Sequence, residues 1–400
     1  PKDIPQSVVE SSAAATAAGE ILIPARNTCT RMPEIIPELN VDNERPRIGV
    51  FVCRCGVNIA GVVDVPSVAE YAATLPYVAY ATDNLYSCSQ DTQETITQII
   101  KEKNLNRVVI AACTPKTHEP LFQETLTNAG LNKYLFEMAN IRNQNSWVHK
   151  SNPELATKKA RDLVRMAVSK VALMAPLKEA ELEVNQTAMI VGGGISGMAA
   201  ARSLARQGYE THIIEKSSQL GGQASNLYRT ARGEDIQENL SHLVDEIEKN
   251  DKIHVHLDTE LTHVEGFVVN FESTLSSNGD EISLDHGVAI MATGAAPYEP
   301  DEYSYGKDER ILTALELDRK FIDKDPSLKD LNSAVFIQCV GSREPERMYC
   351  SRVCCTHAVD NALSLKRLNP EMNVFVLYRD LRTYGEKENI YKEAREAGVI

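Results

Sequence analysis

Residues 187–215, TAMIVGGGISGMAAARSLARQGYETHIIE, decide the fold of the chain. An apolar run ends in three glycines, an amphipathic stretch follows, and a second apolar run ends at Glu215. This order predicts a buried strand, a tight turn, a helix and a second strand of a parallel sheet. Gly192, Gly194 and Gly197 have the spacing G-x-G-x-x-G, in which the first glycine permits the turn and the second lets the backbone approach a pyrophosphate.

The surroundings of this motif favour a dinucleotide site. Gly197 allows the helix to pack closely on the strand, and the helix N-terminus offers N–H donors and a positive dipole. Gly208 ends the helix, and Glu215 follows Gly192 by 23 residues at the end of the second strand. A carboxylate at that position accepts hydrogen bonds from a ribose diol and repels a 2′-phosphate. A glycine-rich turn beside a surface glutamate is the alternative interpretation.

Two further segments favour FAD as the bound dinucleotide. EKSSQLGG at 215–222 resembles the E-K-x-x-x-x-G-G segment of flavoproteins with two dinucleotide domains, and ATGA at 292–295 resembles their second FAD motif. For ATGA taken alone, an ordinary strand end is the alternative. The resemblance implies that five residues are neighbours of the cofactor: Glu215, Gly221, Gly222, Thr293 and Gly294.

Short apolar strands alternate with helical stretches through most of the chain, which is typical of α/β folds with parallel sheets. We therefore expect an α/β protein with several segments. They are a helix and a Pro-rich connector over 1–45 (with Pro24, Pro33, Pro37 and Pro46 at its end), a small parallel α/β domain over 46–150, a helical linker over 151–186, and the nucleotide-binding domain over 187–400, with a second dinucleotide-type unit over 333–400.

Composition and charge narrow the function classes. The 400 residues are 43% hydrophobic and 24% charged, as in ordinary globular proteins. A formal net charge of −14 argues against a broad nucleic-acid footprint, which needs a basic face. No apolar run approaches the roughly 18 residues of a membrane-spanning helix, and the polar, Ala-rich start is unlike a secretory signal. We expect a cytoplasmic protein with no membrane span and no nucleic-acid partner.

Eight of the nine cysteines fall into two sets, while Cys29 lies alone in the connector. An odd number of cysteines in a long chain without a secretory signal argues against a disulfide framework. In the first set, two thiols end predicted parallel strands, where ligands of neighbouring strands converge. We expect an iron–sulfur cluster here, with buried or free thiols as the alternative. The first set is Cys53, Cys55, Cys88 and Cys113.

The second set, Cys339-x10-Cys350-x3-Cys354-Cys355, occupies the turn where a second dinucleotide domain would carry its glycines. Four thiolates suffice for one [4Fe–4S] cluster. Zinc, a redox disulfide and structural thiols are the alternatives. The sequence predicts that an iron–sulfur site replaces nicotinamide-nucleotide binding in this unit. Four residues between the thiols are candidate hydrogen-bond donors to sulfur: Ser342, Arg343, Ser351 and Arg352.

Four segments together resemble the A subunit of heterodisulfide reductase: VFVCRCGVNIAGVVDV (50–65), AACTPKTHEPLF (111–122), VGGGISGMAAA (191–201) and CVGSREPERMYCSRVCC (339–355). The resemblance runs from about Arg47 to the end of the chain. It implies a thioredoxin-reductase-like FAD fold with two dinucleotide domains, surrounded by [4Fe–4S] clusters. It also implies that the eight clustered cysteines are cluster ligands and that 46–150 is an iron–sulfur domain.

The resemblance further implies an oxidoreductase that works as a flavin- and iron–sulfur-dependent electron-transfer subunit. In that family the flavin can bifurcate an electron pair to a low-potential and a high-potential acceptor. The implied partners are other subunits of an anaerobic, oligomeric complex and ferredoxin, hydrogenase or dehydrogenase electron donors. Disulfide chemistry belongs to a partner subunit in this family, so no catalytic residue is assigned. A NAD(P)H-dependent flavoprotein disulfide reductase and a non-catalytic scaffold with vestigial sites are the alternatives.

The sequence departs from this family in two places. Many members carry a ferredoxin domain after the G-G segment, whereas Gly221-Gly222 continues here through QASNLYRTARGEDIQENL without a cysteine. The start, PKDIPQSVVESSAAATAAGEIL, resembles the terminal helix of the family's FAD domain, although it precedes the N-terminal domain. These features predict a piece of a tandem protein, with the tail of one copy followed by most of a second.

Overall fold

The computed structural model describes residues 4–31 and 36–400, so Pro33 of the expected connector lies outside the described residues. The chain forms two units. The first unit is Thr30–Glu181, and the second combines the segment that ends at Cys29 with Leu182–Ile400. The described residues form three parallel sheets and one antiparallel sheet, which confirms the predicted α/β class.

The helices are α1 (Ile4–Leu22), α2 (Val65–Ala73), α3 (Gln90–Glu102), α4 (Pro115–Asn128), α5 (Pro153–Ala172), α6 (Ile195–Arg206), α7 (Ile236–Glu248), α8 (Ala314–Ile322), α9 (Cys354–Leu368) and α10 (Glu388–Glu396). The strands are β1 (Ile48–Cys53), β2 (Val78–Asn84), β3 (Arg107–Ala112), β4 (Phe136–Asn140), β5 (Ala188–Val191), β6 (Thr211–Ile214), β7 (Ile253–His256), β8 (Thr259–Phe267), β9 (Asn270–Ser277), β10 (Asp280–His286), β11 (Val288–Met291), β12 (Ser333–Ile337) and β13 (Asn373–Leu377).

The first unit is built on a parallel sheet with the strand order β2-β1-β3-β4. Its central strands β1 and β3 are buried along their whole length, as their apolar sequences require. Helix α5 lies against β3 and β4 and buries Ala160, Val164 and Val171. This helix therefore belongs to the core of the first unit, whereas the sequence analysis placed it in a linker over 151–186. Its apolar stripe finds a partner on the sheet.

The second unit contains the parallel sheet β11-β5-β6-β7. Helices α6 and α7 cover one face, where Met198, Ala201 and Leu243 pack with Ile190 of β5. The antiparallel strands β8, β9 and β10 form a separate sheet, and Leu275 of β9 packs with Met189 and Ile214 on the other face. The carboxyl ends of β5, β6 and β11 meet at one edge, and this edge carries the glycine motif.

Two peripheral parts complete the second unit. Strands β12 and β13 pair in parallel, and α9 leads from one to the other with α8 and α10 packed against it. Helix α1 has no buried side chain and contacts α6, where the Glu20 carboxylate accepts a hydrogen bond from Ser203 Oγ at 2.6 Å. The helix expected near the start of the chain is therefore present and lies on the nucleotide-type sheet.

Gly197 allows α6 to contact the turn that follows β5. A Cβ atom at this position would lie 1.9 Å from the carbonyl oxygen of Gly192. We expect Gly197→Ala to lower the free energy of unfolding of the second unit by about 3 kcal/mol or more, because backbone must move to admit the methyl group. Urea denaturation followed by circular dichroism measures the change.

Gly208→Ala is the matched control. A Cβ at Gly208 would meet nothing within 4 Å, and the substitution adds only the strain of a left-handed backbone at φ +93°, about 1 kcal/mol. Trp147 is the only tryptophan of the chain and lies in the first unit, so its emission reports that unit separately. Equal destabilisation by the two substitutions would contradict the close contact.

Candidate functional site

The turn between β5 and α6 forms an open cradle at the edge of the second unit's parallel sheet. Gly192 has φ +112°, and a Cβ there would lie 2.3 Å from the carbonyl oxygen of Ala292. Gly194 begins α6 without a side-chain cap, so the first-turn N–H groups are available to an anion. A Cβ on Gly194 would meet only the Cα of Gly222, at 4.0 Å, which leaves the space in front of the helix open.

The second glycine pair and the segment after β11 border the same cradle. The Gly221 N–H donates to the carbonyl oxygen of Gly193 at 2.9 Å, and Gly221 forms an isolated parallel bridge with Gly194. Thr293 Cα lies 3.3 Å from the position that a Cβ on Gly192 would take. The structure thus brings most of the predicted nucleotide residues to one edge, namely Gly192, Gly194, Glu215, Gly221, Gly222, Thr293 and Gly294, while Gly197 is buried in the helix–strand contact.

Glu215 is 8% exposed and holds the cradle in shape. Its Oε2 accepts a hydrogen bond from the Gly193 N–H at 2.7 Å, and its Oε1 accepts bonds from the N–H and hydroxyl of Ser217 at 2.8 and 2.6 Å. Burial alone would raise the pKa of Glu215, but these hydrogen bonds outweigh it and hold the pKa below its usual value. The sequence indicated a ribose acceptor, and the structure adds a role in fixing the turn.

The first thiol set lies at the carboxyl edge of the first unit's sheet. Cys53 ends β1, Cys113 follows β3, and Cys88 lies just before α3. Burial raises the pKa of the Cys88 thiol, with Cys53 and Cys55 adding to the rise, and burial likewise raises the pKa of Cys113. The Arg142 guanidinium opposes both rises. These thiols therefore share one electrostatic environment.

The second thiol set surrounds the start of α9. Cys339 follows β12 with φ +64°, and Arg343 Nη1 lies 4.0 Å from its sulfur. The Arg352 N–H donates to Cys350 Sγ at 3.4 Å. Burial raises the pKa of Cys354, and the thiols Cys355, Cys350 and Cys339 add to the rise. Two of the predicted donors to sulfur, Arg343 and Arg352, thus contact thiols of this set.

Thiol chemistry suits iron–sulfur clusters and zinc, which both bind thiolates. Among the residues that the structure describes, however, no group of three or more His, Cys, Asp or Glu side chains is arranged to hold a metal ion. Each set therefore forms a loop cluster of thiols whose arrangement is not that of a closed metal site.

The sequence analysis missed a buried polar network centred on Asp318 of α8, which is 1% exposed. Its carboxylate accepts hydrogen bonds from the Tyr228 N–H at 3.1 Å and from Asn361 Nδ2 at 2.7 Å. His357 Nε2 lies 2.9 Å from the same carboxylate. His357 and Asn361 are four residues apart and so share one face of α9, which is the signal that the sequence offered.

A second contact joins the same two segments. Arg229 binds the Asp360 carboxylate through both Nη2, at 3.0 Å, and Nε, at 3.3 Å. Asp360 is buried and lies on α9, whose first turn carries Cys354 and Cys355. The network and this ion pair therefore tie the segment after the Gly221-Gly222 turn to the thiol-bearing helix.

Residues 190–247 match the family model of the NAD(P)-binding Rossmann-like domain. The matched segment begins in β5 and contains the glycine turn, α6, β6 and most of α7. Fold and cradle together define a protein of the Rossmann-type dinucleotide-binding class.

Relatives identify the family within this class. The chain is 35% identical to the A subunit of the H₂:CoB–CoM heterodisulfide, ferredoxin reductase of Methanothermobacter marburgensis, over 88% of this chain and 68% of that protein. It is also 35% identical to an iron–sulfur A subunit of the CoB–CoM heterodisulfide reductase of Methanopyrus kandleri, over 88% and 67% of the two chains. The chain belongs to the family of heterodisulfide reductase A subunits, as predicted, and is an oxidoreductase.

Solved structures with a similar fold include thioredoxin reductase of Lactococcus lactis, at 18% identity over 55% of this chain and 64% of that chain, with a TM-score of 0.36. Within residues 4–31 and 36–400, no helix is long and apolar enough to cross a membrane. The cytoplasmic location stays a prediction.

Gly194→Val tests the cradle. The valine side chain would enter the open space in front of α6, where a pyrophosphate would lie, without meeting other protein atoms closer than van der Waals contact. We expect the variant to lose bound dinucleotide while its melting temperature in the nucleotide-free form stays near that of wild type. Retention of stoichiometric dinucleotide would contradict the assignment, and Gly197→Ala, which should lose both binding and stability, gives the contrast.

Glu215→Gln tests the carboxylate, because both of its oxygens accept N–H bonds and glutamine would direct an NH₂ group at one of these donors. We expect the variant to unfold at lower urea concentration at pH 7. The folded-state pKa lies below the ordinary value of 4.5. The stabilisation is therefore complete above that value and is lost as the pH falls through the folded-state pKa.

The difference between wild type and Glu215→Gln should consequently shrink between about pH 5 and pH 3, in urea titrations at each pH. Glu281→Gln, at an exposed carboxylate of β10, is the control and should leave the urea midpoint unchanged. A difference that stays constant with pH would show that the ionised form of Glu215 has no special role.

Proposed function

We propose that the chain is a FAD- and [4Fe–4S]-dependent electron-transfer subunit of a heterodisulfide-reductase-like complex. The observation that carries the proposal is the convergence of the glycine turn, Glu215, the Gly221-Gly222 pair and Thr293 at one sheet edge. Bound FAD supplies an acceptor and donor for an electron pair. The family resemblance extends the proposal to bifurcation of that pair between two acceptors.

Each part of the cradle has a defined task in this proposal. The N-terminus of α6 at Gly194 binds the pyrophosphate through its free N–H groups and dipole. Glu215 holds the Gly193 amide and so keeps the turn in the shape that admits the nucleotide. Gly221 and Gly222 have positive φ and let the following segment pass within backbone distance of Gly194.

We also propose that the two thiol sets bind iron–sulfur clusters. The support is the thiol chemistry, the gathering of each set in one loop region, and the name of the Methanopyrus kandleri relative as an iron–sulfur subunit. Because burial raises the pKa of Cys88, Cys113 and Cys354, metal loading must displace their protons.

The proposed partners are other subunits of such a complex and ferredoxin, hydrogenase or dehydrogenase electron donors. Relatives named as ferredoxin-dependent heterodisulfide reductase subunits support this choice. We propose an oligomeric assembly for the same reason.

Cys354→Ala tests the second thiol set. We expect anaerobically purified variant to lose iron and acid-labile sulfide equivalent to one cluster while FAD stays bound, because the nucleotide cradle lies on a different sheet. Reoxidation of reduced flavin by an external acceptor should slow sharply, whereas chemical reduction of the flavin persists. Iron and sulfide assays, the flavin absorption spectrum and stopped-flow reoxidation are the measurements.

Cys29→Ala is the matched control, because Cys29 is exposed and belongs to neither thiol set. Its iron content should equal that of wild type. Unchanged iron in Cys354→Ala would show that this thiol is not a ligand. Lost iron with unchanged reoxidation would place the electron path elsewhere.

A further inference from the structure

A groove of about 420 Å³ opens beside the first thiol set, between the segment after β1 and the segment after β4. Val57, Val62, Trp147 and Lys150 line it. Trp147 Nε1 donates to Asn58 Oδ1 at 3.3 Å, and Asn58 Nδ2 donates in turn to the sulfur of Cys55 at 3.9 Å. The wall of the groove is therefore in direct contact with a thiol of the set.

Large apolar side chains are exposed around this groove. Val57 is 84% exposed, Trp147 52% and Val148 64%. Leu85 and Tyr86, in the loop between β2 and Cys88 at the same sheet edge, are 63% and 47% exposed. Clusters of exposed apolar side chains on a polar rim are typical of protein-binding surfaces, and aromatic residues are enriched among their anchors.

The charge of this edge is opposite to that of the whole chain. The loops that follow the four strands of the first unit, residues 54–58, 85–89, 113–119 and 141–150, contain four cations and one carboxylate, Glu119. The cations are Arg54, Lys116, Arg142 and Lys150. The chain as a whole has a net charge of −14.

Two cations at the groove are available to a partner. Arg54 is neutralised by Asp83 at 3.1 Å. In the part of the chain that the structure describes, neither Arg142 nor Lys150 forms an ion pair. Arg142 instead lies over the Trp147 ring, with its guanidinium carbon 4.7 Å from the ring centroid. An apolar anchor site and two cations without a carboxylate partner thus lie side by side.

We propose that this groove and its rim, hereafter the groove surface, dock a small acidic redox protein. An apolar side chain of the partner enters beside Trp147, and its carboxylates face Arg142 and Lys150. Opposite charges accelerate encounter, and the apolar contact fixes orientation. The inference rests on the proposed function, because it names the partner that exchanges electrons at the first thiol set.

Trp147 supplies the test, because it is the only tryptophan and lies in the groove. A two-cluster bacterial ferredoxin, which is small and acidic, serves as the probe and is titrated anaerobically into the full chain. We expect quenching of the Trp147 emission, after correction for probe absorbance, with an affinity that falls as salt rises. A basic cytochrome c of similar size should not quench.

Charge reversal locates the contact. Lys150→Glu should weaken probe binding about tenfold, whereas Lys103→Glu, the same change beyond the end of α3 at the opposite sheet edge, should alter it less than about twofold. Trp147→Ala should weaken binding in calorimetry, and circular dichroism checks that each variant folds.

Each outcome supports or overturns the proposal. Absent binding, equal affinities of Lys150→Glu and Lys103→Glu, or an emission that depends on the concentration of the chain alone, which indicates self-association, would overturn the docking proposal. Iron content is measured on the same samples. Specific probe binding by a chain that never binds iron would overturn the proposed function and leave the groove surface standing.

Discussion

The backbone contact between Gly192 and Gly197 is the constraint on which the nucleotide cradle depends. The carbonyl oxygen of Gly192 lies 1.9 Å from the place that a Cβ on Gly197 would take, and the carbonyl of Ala292 similarly blocks a Cβ on Gly192. Without side chains at these positions, α6, β5 and the segment after β11 converge. The N-terminus of α6 then points over the sheet edge, and the Gly221-Gly222 turn has room to pair with Gly194.

Much of this arrangement follows from local sequence, since the motif, the helix and the two strands are contiguous. The fully buried strands β1 and β3 were equally predictable, because IGVFVC and RVVIAA are nearly continuous apolar runs. Strand β2 was not expected. Its sequence, VAYATDN, is largely polar, and it lies half-buried at the edge of its sheet, where no strong apolar pattern is required.

Other features arise only from tertiary contacts. Asp318 binds Tyr228 and Asn361, which lie 90 and 43 residues away, so no local pattern reveals the network. Helix α8 itself escaped prediction, although Thr313 and Glu316 form a capping box at its start. The family resemblance was equally silent about Arg142, because its place over Trp147 and near the thiols is set only when β4 pairs with β3.

The two thiol sets differ in how firmly their surroundings hold them. Around the second set, the buried carboxylates Asp318 and Asp360 fix α9 to the segment after the nucleotide cradle. Removing one partner of such a contact leaves a buried charge unpaired, which is strongly destabilising. The thiols that begin α9 are therefore held in register with the cradle.

The first set lies instead at an edge lined by exposed apolar side chains and by cations that no carboxylate of the described residues neutralises. Electron exchange with a separate protein requires one site of each kind. A rigidly held site keeps its distance to the nucleotide constant, because the buried contacts of α9 resist displacement. An open site can be reached from solvent, because its wall is exposed and its charge attracts an acidic partner. The difference in burial between the two sets therefore matches a division of labour between internal transfer and external exchange.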